Sequence, residues 1–130
     1  MSSGARILFH SVLIVEDVDE MRGMLEQVVS GIPGFKVSGS ARNGWEARLE
    51  LDRRCPSVVL LDEVLPGESS VDLLASVRHL GVPCVLMTGV EDPTHAVPAG
   101  AWGRITKPDW DRLNEGRERI RLALLAALSG

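Results

Sequence analysis

Ser11-Val-Leu-Ile-Val-Glu-Asp17 decides the fold. A short apolar run ends abruptly in two carboxylates. No polar residue alternates through it, so both faces of the backbone are due to be buried, as in strands inside parallel sheets. The pattern returns at Val58-Val-Leu-Leu-Asp62 and at Cys84-Val-Leu-Met-Thr88. Phe35-Lys-Val-Ser-Gly39 alternates instead, and Trp102 to Thr106 is a weaker fifth candidate.

Helical periods fill the intervals. Met21, Met24, Leu25, Val28 and Val29 share one face, and Gly31 is expected to close that helix. Asn43 with Glu46 reads as a capping box, followed by Ala47 and Leu51 on one face. Leu73, Val77 and Leu80 mark a third helix closed by Gly81, and Asp109 is expected to cap a last one carrying Leu113, Ile120, Leu124 and Leu128. The interval between, Val90-Glu-Asp-Pro-Thr-His-Ala-Val-Pro-Ala99, contains two prolines; Pro98 breaks a helix within about two turns, so a shortened or irregular fourth helix is expected. Alternating strand and helix with short loops predicts an α/β fold, a doubly wound (βα)5 sandwich on a parallel sheet.

The 130 residues are 45% apolar and 25% charged, enough for one domain with its own core and too few for a catalytic and an output domain together. A net charge of −4 argues against a chain that grips nucleic acid directly. No apolar stretch is long enough for a membrane span, and the N-terminus lacks a secretory core, so a cytoplasmic location is expected. Cys55 and Cys84 have no CxxC spacing and read as reduced, partly buried thiols rather than a zinc site.

In an open parallel sheet the functional crevice lies beyond the carboxyl ends of the strands. The apolar runs lead, in order, into Glu16-Asp17, Asp62, Thr88 and Lys107-Pro108. Singly, each has an ordinary structural reading as a cap, a turn or a solvated end. The ordered set, one group per strand end, does not. Clustered carboxylates repel one another and favour a hard divalent cation, Mg²⁺ or Mn²⁺. A carboxylate beside such a cation can attack phosphorus and form an acyl phosphate, a reaction that needs charge neutralisation above all. Lys107 is one of only two lysines, against twelve arginines.

The chain resembles the receiver domains of two-component response regulators. The resemblance is carried by Leu13-Ile-Val-Glu-Asp17, Ala41-Arg-Asn-Gly-Trp-Glu-Ala47, Val58-Val-Leu-Leu-Asp62 with Leu65-Pro-Gly67, Leu86-Met-Thr-Gly89, and Gly100-Ala101 leading to Thr106-Lys-Pro108. It implies a flavodoxin-like fold with strand order 2-1-3-4-5. It implies Asp62 as phosphoacceptor, and Glu16, Asp17, Asp62 and the backbone carbonyl of Val64 around Mg²⁺. Thr88 and Lys107 are implied partners of the phosphoryl group, and the Lys107–Pro108 bond is implied to be cis. The implied phosphodonor is a histidine kinase or histidine phosphotransfer protein. The expected boundaries are an N-terminal extension over 1–10 and a receiver domain over 11–128, either free-standing or cut from a longer regulator.

Four departures from the family pattern matter, the slightest being Ser70, which comes after Leu-Pro-Gly where the family commonly has Gly and is expected to alter only the turn into the third helix. Arg104 stands at the switch position usually held by an aromatic, and an arginine is buried only with a charge partner. The fourth helix is interrupted. Val64 and Val90 occupy two positions where polar side chains assist water attack on the acyl phosphate, so slow hydrolysis is expected. The last helix, Ile120-Arg-Leu-Ala-Leu-Leu-Ala-Ala-Leu128, is apolar around much of its girth, which suggests a homodimer or partner surface. The leading expectation is therefore a phosphoacceptor signalling domain with an output partner not named by the sequence. The alternative is a receiver that binds partners without phosphorylation. An Asp-based phosphatase is disfavoured, because Val64 stands where its second acid is wanted.

Overall fold

In the computed structural model, which describes residues 8–67, 70–89 and 101–130, the opening run forms β1 (His10–Val15) at the second position of a five-stranded parallel sheet. The other strands are β2 (Phe35–Ala41), β3 (Val58–Asp62), β4 (Cys84–Thr88) and β5 (Gly103–Thr106). Their spatial order is β2-β1-β3-β4-β5, the doubly wound flavodoxin-like order expected from the resemblance. The helices are α1 (Asp19–Ser30), α2 (Gly44–Arg53), α3 (Ser70–His79) and, at the C-terminus, α4 (Leu113–Ser129). The expected irregular helix between β4 and β5 falls on residues 90–100, outside the described residues.

The continuous runs are buried on both faces because successive side chains feed two separate cores. From β1, Val12 and Ile14 join a core built with Met24, Leu25, Val28 and Val29 of α1 and Ile120 and Leu124 of α4. Leu13 and Val15 join the opposite core, with Ala47 and Leu51 of α2 and Leu73, Leu74 and Val77 of α3. β3 and β4 divide the same way: Leu60 and Met87 on the α1/α4 side, Leu61 and Leu86 on the α2/α3 side. β2 is the exception. It lies at an edge, only Phe35 and Ala41 in it are buried, and its pairing slips by one residue between Val12 and Leu13. Beyond the slip the pairing continues through Ser40 to Ala41, which partners Val15, so the strand runs two residues past Gly39.

Gly31 closes α1 as expected, with right-handed backbone (φ −85°), and the left-handed turn follows at Gly34 (φ 85°). Other local expectations need correction. Asn43 caps α2 by accepting the Glu46 N–H at 2.8 Å, whereas the Glu46 carboxylate returns to the Arg42 N–H rather than to that of Asn43. Asp109 makes no side-chain cap; a 3-10 turn over Trp110–Arg112 intervenes before α4. The Lys107–Pro108 bond is trans, since no peptide bond among the described residues is cis. Trans is the lower-energy isomer, and here the Pro108 ring lies directly over Gly116 of α4. Cys84 is buried in the α2/α3 core, where desolvation pushes its thiol up to about 12, while Cys55 is exposed; both are free.

Candidate functional site

The carboxyl ends of β1, β3, β4 and β5 bring the expected residues to one edge of the sheet. Glu16 continues from β1, its N–H bound to the Ala41 carbonyl at 2.9 Å, and its side chain is completely buried. Asp17 comes next in the turn and faces solvent. Asp62 ends β3 at 4% exposure. Carboxylate oxygens of Glu16, Asp17 and Asp62 lie within 4.8 Å of one another. Thr88 ends β4, and its carbonyl accepts the Lys107 N–H at 2.8 Å, which ties the residue after β5 to the same edge. The Lys107 ammonium reaches Glu16 Oε1 at 2.7 Å and Asp62 Oδ2 at 3.3 Å.

Two turns present these groups. Glu16 Oε2 accepts the Val18 N–H at 3.1 Å, taking up a donor at the start of α1. Arg22, one turn into α1, donates to the Glu16 carbonyl at 3.1 Å and pairs with Asp19 at 2.6 Å, clamping the turn from its far side. After β3, Asp62 Oδ1 accepts the Val64 N–H at 3.0 Å, and the Glu63 N–H is held by the Met87 carbonyl at 2.9 Å. The Val64 side chain is left outside, 77% exposed.

Burial is the largest influence on Asp62 and raises its carboxyl to about 6. The Val64 N–H opposes this, Glu16 adds to it, and Lys107 opposes it again. Burial alone would lower the Lys107 ammonium, but Glu16 and Asp62 beside it hold it above the ordinary lysine value. With all groups ionised, three carboxylates face one ammonium. A net deficit of two positive charges, presented by hard oxygen donors with one carboxylate open to solvent, fits a divalent cation of the Mg²⁺ type.

Sequence reasoning missed two residues. Glu63 supplies the charge partner that a half-buried Arg104 demands, at 2.6 Å, with the side chains 25% and 13% exposed. Arg22 clamps the acidic turn. Glu63 adjoins Asp62 in sequence, but no spacing signal links it to a residue 41 positions away. The other variable position, Val90, lies outside the described residues.

The family model for the response regulator receiver domain matches residues 12–117. The chain therefore belongs to the response regulator receiver domain family. A protein-glutamate methylesterase/protein-glutamine glutaminase of Rhizobium etli is 34% identical over 114 residues, covering 83% of this chain and 31% of that protein. The protein of the same description from Treponema denticola is 31% identical over 104 residues, covering 75% of this chain and 28% of its own. The chain thus spans about three-tenths of the length of these curated relatives, and the catalytic activity in their name is theirs. Among solved structures, the response regulator domain of Thermotoga maritima CheB shares the fold with a TM-score of 0.82 at 21% identity, covering 94% of this chain and 98% of that one. A chain from the complex of the CheA3 P1 domain with CheY6 of R. sphaeroides gives 0.76 at 24% identity, covering 91% and 98%.

Proposed function

We propose that this chain is a phosphoacceptor of a two-component system, its receiver unit covering residues 11–128 behind a short N-terminal extension. The observation that carries the reading is the meeting of Glu16, Asp17 and Asp62 with the Lys107 ammonium at one sheet edge. Glu16, Asp17, Asp62 and the Val64 carbonyl would hold Mg²⁺ (or Mn²⁺). When bound, the cation neutralises charge on the phosphoryl oxygens. An Asp62 carboxylate oxygen attacks the phosphorus of a phosphohistidine on a histidine kinase or phosphotransfer protein. The new O–P bond makes an acyl phosphate, the N–P bond breaks, and the electron pair leaves on the imidazole, which takes up a proton. Lys107 then turns from Asp62 to the new phosphoryl oxygens, and Thr88 donates a hydroxyl hydrogen bond to them.

A complex of a CheA3 P1 domain with CheY6 among the structures sharing this fold supports a kinase-type phosphodonor. The location proposed is cytoplasmic; among the described residues no helix is long and apolar enough to cross a membrane. Direct nucleic-acid binding is disfavoured by the net charge of −4. Phosphorylation changes a protein-binding surface by shifting a conformational equilibrium. A second reading, a binding scaffold that works without phosphorylation, is favoured by one observation: the switch position holds Arg104 in an ion pair rather than an aromatic side chain.

The test is incubation with acetyl phosphate and Mg²⁺, followed by intact mass. One added phosphoryl group, removed by hydroxylamine and absent from Asp62→Asn, is the expected result. No adduct, together with no binding of Mg²⁺ or beryllofluoride, would move the assignment to the scaffold.

A further inference from the structure

The Arg104–Glu63 pair reaches into the candidate site from outside it. Arg104 lies opposite Leu86 in the β4–β5 ladder, and Leu86 belongs to the α2/α3 core, whereas the next residue, Ile105, packs on the opposite core. The Arg104 side chain therefore stands on the α2/α3 face, as Thr88, two residues beyond Leu86, does. From there its Nε donates to Glu63 Oε1 at 2.6 Å.

Glu63 is the link between Asp62 and Val64, two of the expected contributors to the cation. Contacts that fix the short turn among the described residues include the Glu63 N–H on the Met87 carbonyl, the Val64 N–H on Asp62 Oδ1, and the Glu63 carboxylate on Arg104. The first is a main-chain contact available to almost any side chain, and the second needs only the Asp62 carboxylate. The third depends on this pair of residues, and an aromatic side chain at position 104 has no charge with which to make it.

We propose that Arg104 is a positioning residue for the divalent cation: by holding Glu63, it sets the turn that presents the Asp62 carboxylate and the Val64 carbonyl. The inference rests on the reading of the acidic cluster as a Mg²⁺ site. Groups that orient metal ligands from behind commonly change affinity by 10–100-fold when removed. The position that serves as a packing switch elsewhere in the family would here serve the cation site.

The experiment is calorimetric titration of the full chain with Mg²⁺, for wild type, Arg104→Met, Glu63→Gln, the double variant and Arg104→Lys. Circular dichroism at the titration temperature establishes that each is folded, and Glu63→Gln carries the test if Arg104→Met is not. Each single charge removal should weaken Mg²⁺ about 10-fold. The double variant should be no weaker than either single one, as for two residues acting as one unit. Arg104→Lys should recover most of the affinity. Wild-type affinity in folded Glu63→Gln or Arg104→Met, with only the unfolding midpoint lowered, would overturn the proposal and leave the pair a structural one. No Mg²⁺ binding by the wild type would overturn the cation site itself, and the proposal with it.

Discussion

Asp62→Asn, made without any phosphodonor or divalent cation, should stabilise the protein. Asp62 is 4% exposed, and its carboxyl is raised from 3.8 to about 6, first by burial and then by Glu16, against the opposing Val64 N–H and Lys107. At 1.36 kcal/mol per unit, keeping the group charged at neutral pH costs roughly 3 kcal/mol relative to the unfolded chain. Asparagine removes the charge and keeps an oxygen for the Val64 N–H. Its amide then faces the Lys107 ammonium, which offsets part of the gain, so the net expectation is about 1–3 kcal/mol. With an unfolding entropy of about 2.1 cal/mol/K per residue, 130 residues give a Tm rise of about 4–11 °C.

The pH dependence separates this cause from better packing. A carboxyl with a raised folded value binds its proton more tightly in the native state. Its contribution to stability is therefore present at low pH and lost as pH rises from about 4 to about 6. Wild type and Asp62→Asn should converge near pH 4 and diverge to a constant gap above about pH 6.5. Thermal unfolding at half-unit pH steps in EDTA measures it. Adding Mg²⁺ should then stabilise the wild type more than the variant, because a cation that binds only the folded state adds to its stability. A variant no more stable than wild type at pH 7.5 in EDTA, or a gap independent of pH, would refute the assignment of an unfavourable buried charge at Asp62.

Three further expectations are independent of that one. A methyl group on Gly116 would stand 2.6 Å from Pro108 Cβ and 3.2 Å from its Cα, so Gly116→Ala must push α4 or Pro108 aside. Overpacking of about 1–3 kcal/mol against about 1 kcal/mol of added helix propensity predicts lower stability by chemical denaturation, together with slower acetyl-phosphate labelling as Lys107 moves. The exposed Val64 offers no group to orient an attacking water, so the acyl phosphate should be lost slowly from the purified protein and faster in Val64→Asn, read by intact mass over time. Leu122 and Leu125 of α4 are 54% and 38% exposed; if they cover a homodimer face, sedimentation should show a concentration-dependent dimer that Leu122→Lys abolishes, and a monomer at all concentrations would remove that reading.

How much was legible in the sequence depends on which forces act locally. Strands buried on both faces leave continuous apolar runs, and strand ends in an open sheet leave polar residues just beyond them. Glu16, Asp17, Asp62 and Lys107 could therefore be read before any contact was known, and the structure brings them together. β2 runs two residues past Gly39 because its pairing with β1 continues to Val15, and the one-residue slip within it leaves no mark on an alternating pattern. Asp109 has the residue type of a cap but not its geometry, since the chain first makes a 3-10 turn at Trp110–Arg112. The isomer at Pro108 was inferred by resemblance alone, and the ring's seat against Gly116 depends on a helix beginning five residues later. Arg104 is the instructive residue. The cost of burying a guanidinium said that a carboxylate must meet it, but not which one. Only the reach of Arg104 from β5 past β4 to the end of β3 selects Glu63, and that choice joins a departure from the family pattern to the acidic cluster.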